Sequence, residues 1–280
     1  MKVFNEPGKL QKWCLSRRMA GAKVALVPTM GALHAGHLSL IAEAKRRGAD
    51  EIVVSVFVNP VQFGPNEDYD RYPRDHKADQ ARCRKAGATA IFFPTPENMY
   101  LEGHSVYVNE ESLSKGLCGA RRPGHFRGVC TVVAKLFNIV QPSFAVFGQK
   151  DFQQAAIIRR MVRDLNFGID IVVAPIVRED SGLALSSRNS YLSEEERERA
   201  LALSAALAAA KDDVATYGGI DWKTYKANIR RFLVKAGLKV DYIEAVNAET
   251  LEPVATLDKG DAILLAVYDG ATRLIDNAVM

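Results

Sequence analysis

Residues 23–40 read KVALVPTMGALHAGHLSL, an apolar stretch that passes through a glycine-containing turn into a segment with helical spacing. The apolar part, Val24–Val27, has the length and composition of a buried strand, and a helix is expected from about His37 onward. A strand joined by a short turn to a helix is the repeating element of parallel α/β sheets. The stretch therefore predicts a strand-turn-helix unit that carries two histidines, His34 and His37, on its turn.

The same alternation of short apolar runs and longer amphipathic ones continues to about residue 175. The predicted strands are Val24–Val27, Ile52–Val58, Ala90–Phe93, Phe144–Phe147 and Ile169–Ala174, and the predicted helices lie near His37–Arg47, Asp75–Lys85, Gly128–Ile139 and Phe152–Leu165. Apolar strands separated by helices indicate a doubly wound parallel sheet that is covered on both faces. In such sheets ligands bind beyond the carboxyl ends of the strands, which is where the turn with the two histidines is expected.

The pattern changes after residue 176. A long helix is expected in residues 191–213, where Ser193 and Glu196 have the spacing of a capping box, and a second helix is expected from about Asp221. Two apolar stretches follow, and the last one reads as a pair of strands that turn at Asp269-Gly270. The sequence thus predicts an α/β domain in residues 1–176 and a smaller α+β domain in residues 177–280.

Composition narrows the class of protein. The chain has 280 residues, of which 48% are hydrophobic and 25% charged, with a net charge of +4, as is usual for a globular protein. This small positive excess suits an anionic ligand but does not suit a nucleic-acid-binding protein. No long apolar segment or signal peptide is apparent, and four scattered cysteines are typical of reduced thiols, so the chain is predicted to be cytoplasmic. The cysteines are Cys14, Cys83, Cys118 and Cys130.

The histidine turn has several interpretations. Backbone N–H groups at a helix start form an anion site, glycines let phosphates come close, and a neutral imidazole still donates one N–H. Without its context, a pair of histidines three residues apart is more often a polar turn with His37 near the helix cap. A metal pair is less favoured, because no H-E-x-x-H motif or third nearby ligand is present. The position after a strand, with two glycines, favours a nucleotide.

Polar residues also follow other predicted strands. Gln62 comes after the Asn59-Pro60 pair, and its amide suits a ligand with hydroxyls and a carboxylate. Lys150 follows the strand ending near Gly148 and is a candidate phosphate ligand. The loop Ser186–Arg188 offers two hydroxyls and a permanent cation. Each of these side chains taken alone is as well explained by a solvated loop or a helix cap.

One basic cluster has open alternatives. Residues 119–133, GARRPGHFRGVCTVV, place three arginines and a histidine close together in the sequence. They could form a local RNA contact, but aromatic residues are not interleaved with them and no wider basic face is apparent. An active-site wall or an ordinary exposed loop is therefore favoured. The residues are Arg121, Arg122, His125 and Arg127.

Five motifs, in this order along the chain, resemble those of a known protein family: PTMGALHAGHLSL, FVNPVQFG, RPGHFRGV, FGQKDFQQ and LSSRN. From about Val24 to the C-terminus the chain resembles the pantothenate synthetase (pantoate–β-alanine ligase) family, within the nucleotidylyltransferases that share an H-x-G-H motif. The resemblance implies a Rossmann-like fold, a homodimer, and ATP as a substrate with Mg²⁺. It also implies that pantoate and β-alanine are joined through a pantoyl-adenylate, with release of AMP and pyrophosphate. Partners would be small molecules, with no nucleic acid and no membrane.

The resemblance also implies roles for particular residues. His37, His34 and Lys150 would be catalytic, Gln62 and Gln154 would bind pantoate, and Gln62 would also contact β-alanine. Asp79 is a candidate magnesium ligand, although no metal ligand is assigned. Leu185 stands where the family usually has methionine, an apolar exchange near the adenine. The ATP-binding residues would be Met30, Gly31, Ala32, Leu33, His34, Ala35, Gly36, His37, Gly148, Gln149, Lys150, Asp151, Val177, Leu185, Ser186, Ser187 and Arg188.

Two rival functions share this scaffold. A plain nucleotidylyltransferase would transfer AMP to a phosphorylated acceptor without a second step, but such a site would need extra cations where Gln62 and Gln154 stand. A nucleotide-sensing or RNA-associated protein would not need Lys150 and the Ser186–Arg188 loop together with both histidines. The sequence therefore favours a ligase in which the imidazoles donate hydrogen bonds to phosphates.

Overall fold

The computed structural model describes residues 1–65 and 67–280. Its helices are α1 (Pro7–Met19), α2 (Ala35–Arg46), α3 (His76–Ala86), α4 (Pro96–Met99), α5 (Leu117–Arg121), α6 (His125–Val140), α7 (Phe152–Asp164), α8 (Glu194–Tyr217) and α9 (Trp222–Lys235). Its strands are β1 (Lys2–Phe4), β2 (Val24–Thr29), β3 (Glu51–Val56), β4 (Ala90–Phe92), β5 (Phe144–Gly148), β6 (Asp170–Ala174), β7 (Ile220–Asp221), β8 (Lys239–Asn247), β9 (Thr256–Leu257), β10 (Asp261–Asp269) and β11 (Thr272–Val279). Short 3-10 turns cover Pro60–Gln62, Gln149–Asp151 and Ser187–Tyr191.

A parallel sheet forms the centre of the first unit. Six strands of the described chain pair in the order β1-β4-β3-β2-β5-β6, all parallel. Every residue of β3 and the first four of β2 are buried, because helices cover both faces. The apolar runs that mark these strands in the sequence are the consequence of that two-sided burial. The predicted doubly wound α/β fold is confirmed.

The N-terminal segment differs from the prediction, which assigned no element before Val24. β1 pairs with β4 at the edge of the sheet, and Pro7 begins α1 at a position where proline is favoured. β1 has only three residues, of which two are exposed, so it lacks the long apolar run by which the buried strands are predicted. Near the middle of the chain α6 begins at His125, three residues before the predicted Gly128, and α4 and α5 were not predicted.

The C-terminal elements are largely as expected. Ser193 caps α8 by accepting from the Glu196 N–H at 3.2 Å, while Glu196 accepts from the Ser193 N–H at 2.8 Å, which confirms the capping box. The side chain of Asp221 caps α9. β10 pairs with β8 and β11 in an antiparallel sheet, and Gly270, with φ of 56°, lies in the tight turn between β10 and β11.

The chain divides into two units. The first comprises Met1–Gly148 with Ile157–Ala174, and the second comprises Gln149–Ala156 with Pro175–Met280. The core of the second unit is built from α8, α9 and the antiparallel sheet. Among the described residues no helix is long and apolar enough to span a membrane. The predicted division into domains at residue 176 stays a prediction.

Candidate active site

The loop between β2 and α2 has an unusual backbone that one buried carboxylate holds in place. Gly31 and Ala32 have φ of 91° and 50°, in the left-handed region. A Cβ at residue 31 would lie 2.9 Å from Val56 Cγ1 and 3.0 Å from Asp79 Oδ2, so this position requires glycine. Asp79 is 0% exposed and accepts hydrogen bonds from the N–H groups of Ala32 at 3.0 Å and Leu33 at 2.8 Å. The carboxylate thereby fixes the entrance to α2.

The two histidines form a reciprocal cap at the start of α2. Nδ1 of His34 accepts from the Gly36 N–H at 3.2 Å, and Nδ1 of His37 accepts from the His34 N–H at 3.3 Å. The ring centroids lie 4.1 Å apart. A ring nitrogen that accepts a hydrogen bond carries no hydrogen, so in each neutral ring the hydrogen resides on Nε2. Both imidazoles therefore present Nε2–H as their donor group.

The expectation that unpaired backbone N–H groups of this turn bind an anion is wrong at several positions. The N–H of Gly31 donates to the hydroxyl of Thr29 at 3.2 Å. The next two N–H groups donate to Asp79, and those of His34 and Gly36 donate to the histidine rings. All five N–H groups thus already have acceptors, either within the loop or in Asp79 of α3. Binding of an anion at this turn by the two imidazoles stays a prediction.

Gln62 lies in the 3-10 turn after β3, where buried polar partners orient it. Asn59, which is 1% exposed, donates from Nδ2 to Gln62 Oε1 at 3.0 Å and to the Gly128 carbonyl at 3.1 Å. The Tyr100 hydroxyl donates to Asn59 Oδ1 at 2.7 Å, and burial raises the pKa of this phenol, which keeps it protonated as a donor. Gln62 Nε2 lies 3.2 Å from Met30 Sδ. The structure thus brings together two residues predicted to bind substrates, Met30 and Gln62.

The start of α6 packs directly against this turn. His125 Nδ1 lies 2.8 Å from the Gln62 carbonyl oxygen, so this ring nitrogen carries a hydrogen and donates it. A Cβ on Gly128 would lie 2.6 Å from Gln62 Cα and 2.6 Å from the Val61 carbonyl oxygen. Only glycine permits this close approach of helix and turn. The backbone that carries Gln62 is therefore set by α6.

The basic cluster of residues 121–127 is engaged in contacts within the first unit. Arg122 donates to both carboxylate oxygens of Glu67, at 2.6 and 2.5 Å, and lies 2.9 Å from His125 Nε2. Burial alone would raise the pKa of Glu67, but its hydrogen bonds to Arg122 and the charge of that residue hold the pKa below its usual value. The Arg127 guanidinium stacks 3.8 Å from the Tyr107 ring. Arg122 and Arg127 thus each have a structural partner within the first unit, and the choice between an active-site wall and an ordinary exposed loop stays a prediction.

In the second unit, two strand-like segments hold predicted nucleotide ligands. The Leu185 N–H donates to the Val177 carbonyl at 3.0 Å, and Arg178 and Ala184 form an antiparallel bridge. Val177 and Leu185, both predicted to contact the nucleotide, are therefore neighbours. Lys150 is half-buried in the turn Gln149–Asp151. Gln154 lies in the first turn of α7.

A partly buried ion pair holds the next loop, Ser186–Arg188. Arg197 donates to both oxygens of Glu179, at 2.9 and 2.8 Å, and to the Asn189 carbonyl at 3.0 Å. Asn189, 5% exposed, donates to Glu179 Oε1 and to the Ala184 carbonyl, both at 3.1 Å. Ser186 Oγ accepts from the N–H of Arg188 at 3.2 Å and so begins the 3-10 turn. The loop is fixed on both sides by residues outside its motif.

Several of these supporting residues were missed by reasoning from the sequence. Asn59 was noted only as the end of a strand, and Gly128 only as the start of a helix. Asp79 was considered only as a metal ligand, but both of its oxygens accept backbone N–H groups. Among residues 1–65 and 67–280, no group of three or more His, Cys, Asp or Glu side chains that could hold a metal is present. The roles predicted for the individual ligand residues stay predictions.

By its fold and its candidate site, the protein is a doubly wound α/β protein whose H-x-G-H turn follows a central strand, with a smaller antiparallel domain. A sequence model of the family described as Pantoate-beta-alanine ligase matches residues 2–279. The pantothenate synthetase of Anaeromyxobacter dehalogenans is 54% identical over 282 residues, with 99% of this chain and 97% of that protein covered. The chain belongs to the pantoate-beta-alanine ligase family.

Solved structures agree with this assignment. The pantothenate synthetase of Thermus thermophilus matches with a TM-score of 0.89 and 43% identity, covering 100% of this chain and 99% of that one. The pantoate-beta-alanine ligase of Francisella tularensis, complexed with beta-gamma ATP and beta-alanine, matches with a TM-score of 0.81 and 33% identity, covering 100% and 97%. The family resemblance and the ligase class predicted from the sequence are confirmed.

Proposed function

We propose that this protein condenses pantoate with β-alanine to pantothenate through a pantoyl-adenylate, with release of AMP and pyrophosphate. The observation that carries the proposal is the histidine pair, which presents two Nε2–H donors from one turn at the end of a central strand. Family membership supplies the substrates. The Francisella relative, complexed with beta-gamma ATP and beta-alanine, supports ATP and β-alanine as ligands.

The residues proposed to bind ATP are the H-x-G-H turn, Met30–His37, then Gly148, Gln149–Asp151, Val177 and the segment Leu185–Arg188. Gln62 and Gln154 bind pantoate, and Gln62 also contacts β-alanine. Apart from the exposed Asp151, the polar side chains in this set are buried or half-buried, which suits groups that must contact a ligand and keep partial access to solvent.

The first step needs no general base, because a carboxylate is ionised at neutral pH. A pantoate oxygen attacks the α-phosphorus of ATP, and pyrophosphate leaves. Negative charge grows on the α-phosphate and the leaving group. Donors that are already in place stabilise such charge most effectively, since they do not have to reorganise during the reaction. His34, His37 and Lys150 are assigned this role, with Ser186, Ser187 and Arg188 on the leaving pyrophosphate.

Gln62 is suited to hold pantoate. Its Oε1 is occupied by Asn59, while its Nε2 faces the sulfur of Met30, a weak acceptor. A hydroxyl or carboxylate oxygen is a stronger acceptor and would replace the sulfur as the partner of this N–H. In the second step the neutral amine of β-alanine attacks the acyl carbon, which requires that the amine is held in line and water is excluded.

Magnesium fits this site as the ion that ATP carries. The oxygens of Asp79 are engaged by backbone N–H groups, so phosphate oxygens and water would supply its ligands, as Mg²⁺ prefers. When bound, the ion neutralises part of the phosphate charge. A homodimer, which the family implies, and a cytoplasmic location, which the sequence predicts, belong to the same proposal.

Pyrophosphate exchange into ATP tests the proposed function. Labelled pyrophosphate should enter ATP when pantoate is present and β-alanine is absent, because the proposed phosphate donors are complete without the amine. Exchange that strictly requires β-alanine would exclude a free adenylate. Exchange supported by a phosphorylated acceptor in place of pantoate would instead identify a plain nucleotidylyltransferase.

A further inference from the structure

Asn277 on β11 is a buried asparagine with no place in the motifs of the sequence. It is 3% exposed, and its Nδ2 donates to the carbonyl oxygens of Gln149 at 3.1 Å and Lys150 at 2.9 Å. Gln149 Nε2 lies 3.3 Å from Asn277 Oδ1. These groups all lie in the second unit. One side chain thus binds two consecutive residues of the Gln149–Asp151 turn.

The chemistry of the amide explains why asparagine is required. An amide nitrogen carries two hydrogens in fixed directions, and here each one has its own backbone carbonyl acceptor. Two acceptors on adjacent residues determine both the position and the orientation of the turn. A carboxylate of the same size would place lone pairs against these carbonyls, and alanine would leave them without this donor.

The strand that carries Asn277 is itself held firmly. β11 pairs with β10 in an unbroken antiparallel register, in which Asn277 is opposite Leu264. The neighbouring Asp276, 3% exposed, accepts two hydrogen bonds from Arg178, at 2.6 and 2.9 Å, and one from the Asn277 N–H at 2.8 Å. A functional group is placed most accurately when its support is a rigid element with its own hydrogen bonds.

We propose that Asn277 is a positioning residue for Lys150, so that the last strand of the chain sets the place of a phosphate-binding cation. The inference rests on the proposed function, in which Lys150 stabilises charge during adenylation. Asn277 acts through the backbone of the turn and touches no substrate. Its loss is therefore expected to slow the first half-reaction and to spare the second.

The test uses Asn277→Ala and Asn277→Asp in the full-length protein. Pantoate-dependent pyrophosphate exchange should fall about 100-fold in both, the usual size of the effect when a catalytic group is displaced by about 1 Å. The pantoate KM and the reaction of supplied pantoyl-adenylate with β-alanine should stay at wild-type values. Asn277→Asp keeps the side-chain volume, so it serves if the alanine variant does not fold.

Asn247→Asp is the matched control, because the side-chain oxygen of Asn247 accepts backbone N–H groups at 3.0 Å, which a carboxylate can also do. A double-mutant cycle supplies the second readout. In a Lys150→Ala background, removing Asn277 should change exchange by less than about twofold, because the two changes act on one unit. Full additivity, or equal loss in both half-reactions, would assign Asn277 a purely structural role. Wild-type exchange in Asn277 variants would overturn the inference alone, whereas absence of exchange in the wild type would overturn the proposed function.

Discussion

Nδ1 of His37 accepts the backbone N–H of His34 at 3.3 Å, and the two rings lie 4.1 Å apart between centroids. The ring of His37, which completes the capping box at the start of α2, is thus also the ring whose Nε2–H is proposed to reach the phosphates. Structural and catalytic roles are assigned to opposite nitrogens of one ring. Substitutions that preserve the hydrogen bond of only one of the two ring nitrogens can therefore separate the structural role from the catalytic role.

Replacement of His37 by asparagine and by glutamine should have unequal effects. The side-chain oxygen of the introduced asparagine would lie near the place of Nδ1 and keep the cap, while the longer glutamine reaches the place of Nε2 and keeps a donor. We expect His37→Asn to fold normally and to lose about 3–4 kcal/mol of transition-state stabilisation. His37→Gln should retain more activity at a lower melting temperature. Exchange rates and thermal melts measure the two effects, and equal activity in both variants would remove the Nε2 donor from the mechanism.

Gly128→Ala should disturb pantoate use more than ATP use. The new Cβ would meet the backbone of Val61 and Gln62 at 2.6 Å, so the turn that carries Gln62 must move. Overpacking of this kind costs about 1–3 kcal/mol of stability. Loss of one hydrogen bond to pantoate raises its KM by about tenfold. Steady-state kinetics with each substrate varied in turn would show a raised KM for pantoate and a smaller change in the KM for ATP.

Gly8→Ala is the control for that substitution, since a Cβ at residue 8 has no neighbour within 4 Å. It should leave both KM values at wild-type levels and should not lower the melting temperature, because alanine is the better helix former within α1. Gln62→Ala should reproduce the selective loss with pantoate. If ATP affinity fell in Gly128→Ala while pantoate kinetics stayed constant, the assignment of Gln62 to pantoate would be wrong.

The sequence predicts the sheet well because strands that are buried on both faces are continuously apolar, and this pattern is visible within a few consecutive residues. Val24–Val27 is apolar without interruption, whereas the edge strand β1 has only three residues and no such run. The start of α6 is set by Gly124, whose φ is 80°, and reasoning from periodicity placed it three residues too late. Helix ends are determined by single backbone conformations that periodicity does not record.

For the candidate site, proposed ligand residues lie in short motifs, but their supports do not. Asp79 meets residues that are 46 and 47 positions away, and Asn277 meets residues 127 and 128 positions away. Such partners are brought together only by the packing of the fold. A polar residue outside any motif can be noted in the sequence, but the residue that it contacts in the fold cannot be identified there. These supporting contacts are therefore found only from the structure.

Three cysteines should resist thiol reagents in the folded protein. Burial raises the pKa of Cys14, Cys83 and Cys130 to about 12, so at neutral pH almost none of each thiol is ionised. Because the thiolate is the reactive form, alkylation at about pH 7 should be far slower than in the unfolded chain, where the pKa is about 8.5. Peptide mass spectrometry before and after unfolding measures this. Rapid labelling of any of the three in the folded protein would contradict it.

The Glu67–Arg122 pair should make stability depend on pH in the acid range. The pKa of Glu67 is lowered in the folded state, so the pair stabilises the fold above the unfolded pKa of about 4.3. That contribution is lost as the pH falls through the lower, folded pKa. The free energy of unfolding of the wild type should therefore fall below about pH 5 more steeply than that of Glu67→Gln. Parallel curves for the two proteins would show that the pair contributes nothing to acid stability.

The fate of one oxygen atom separates the proposed ligase from its alternatives. If the pantoate carboxylate attacks the α-phosphorus, a carboxylate oxygen bridges the adenylate. When the amine of β-alanine attacks the carbonyl carbon, that oxygen leaves with AMP. Pantoate labelled with heavy oxygen in its carboxylate should thus transfer one label to AMP for each amide formed, and none to pyrophosphate.

Attack at the γ-phosphorus would instead form an acyl phosphate, place the label in orthophosphate and produce ADP. We expect the label in AMP, because His34 and His37 present two donors from one turn, and the loop Ser186–Arg188 adds two hydroxyls and a cation for a leaving pyrophosphate. The many oxygens of a leaving pyrophosphate require more donors than a departing ADP bound at the β-phosphate alone. Mass spectrometry of the nucleotide product decides between the routes, and unlabelled AMP would exclude the adenylate.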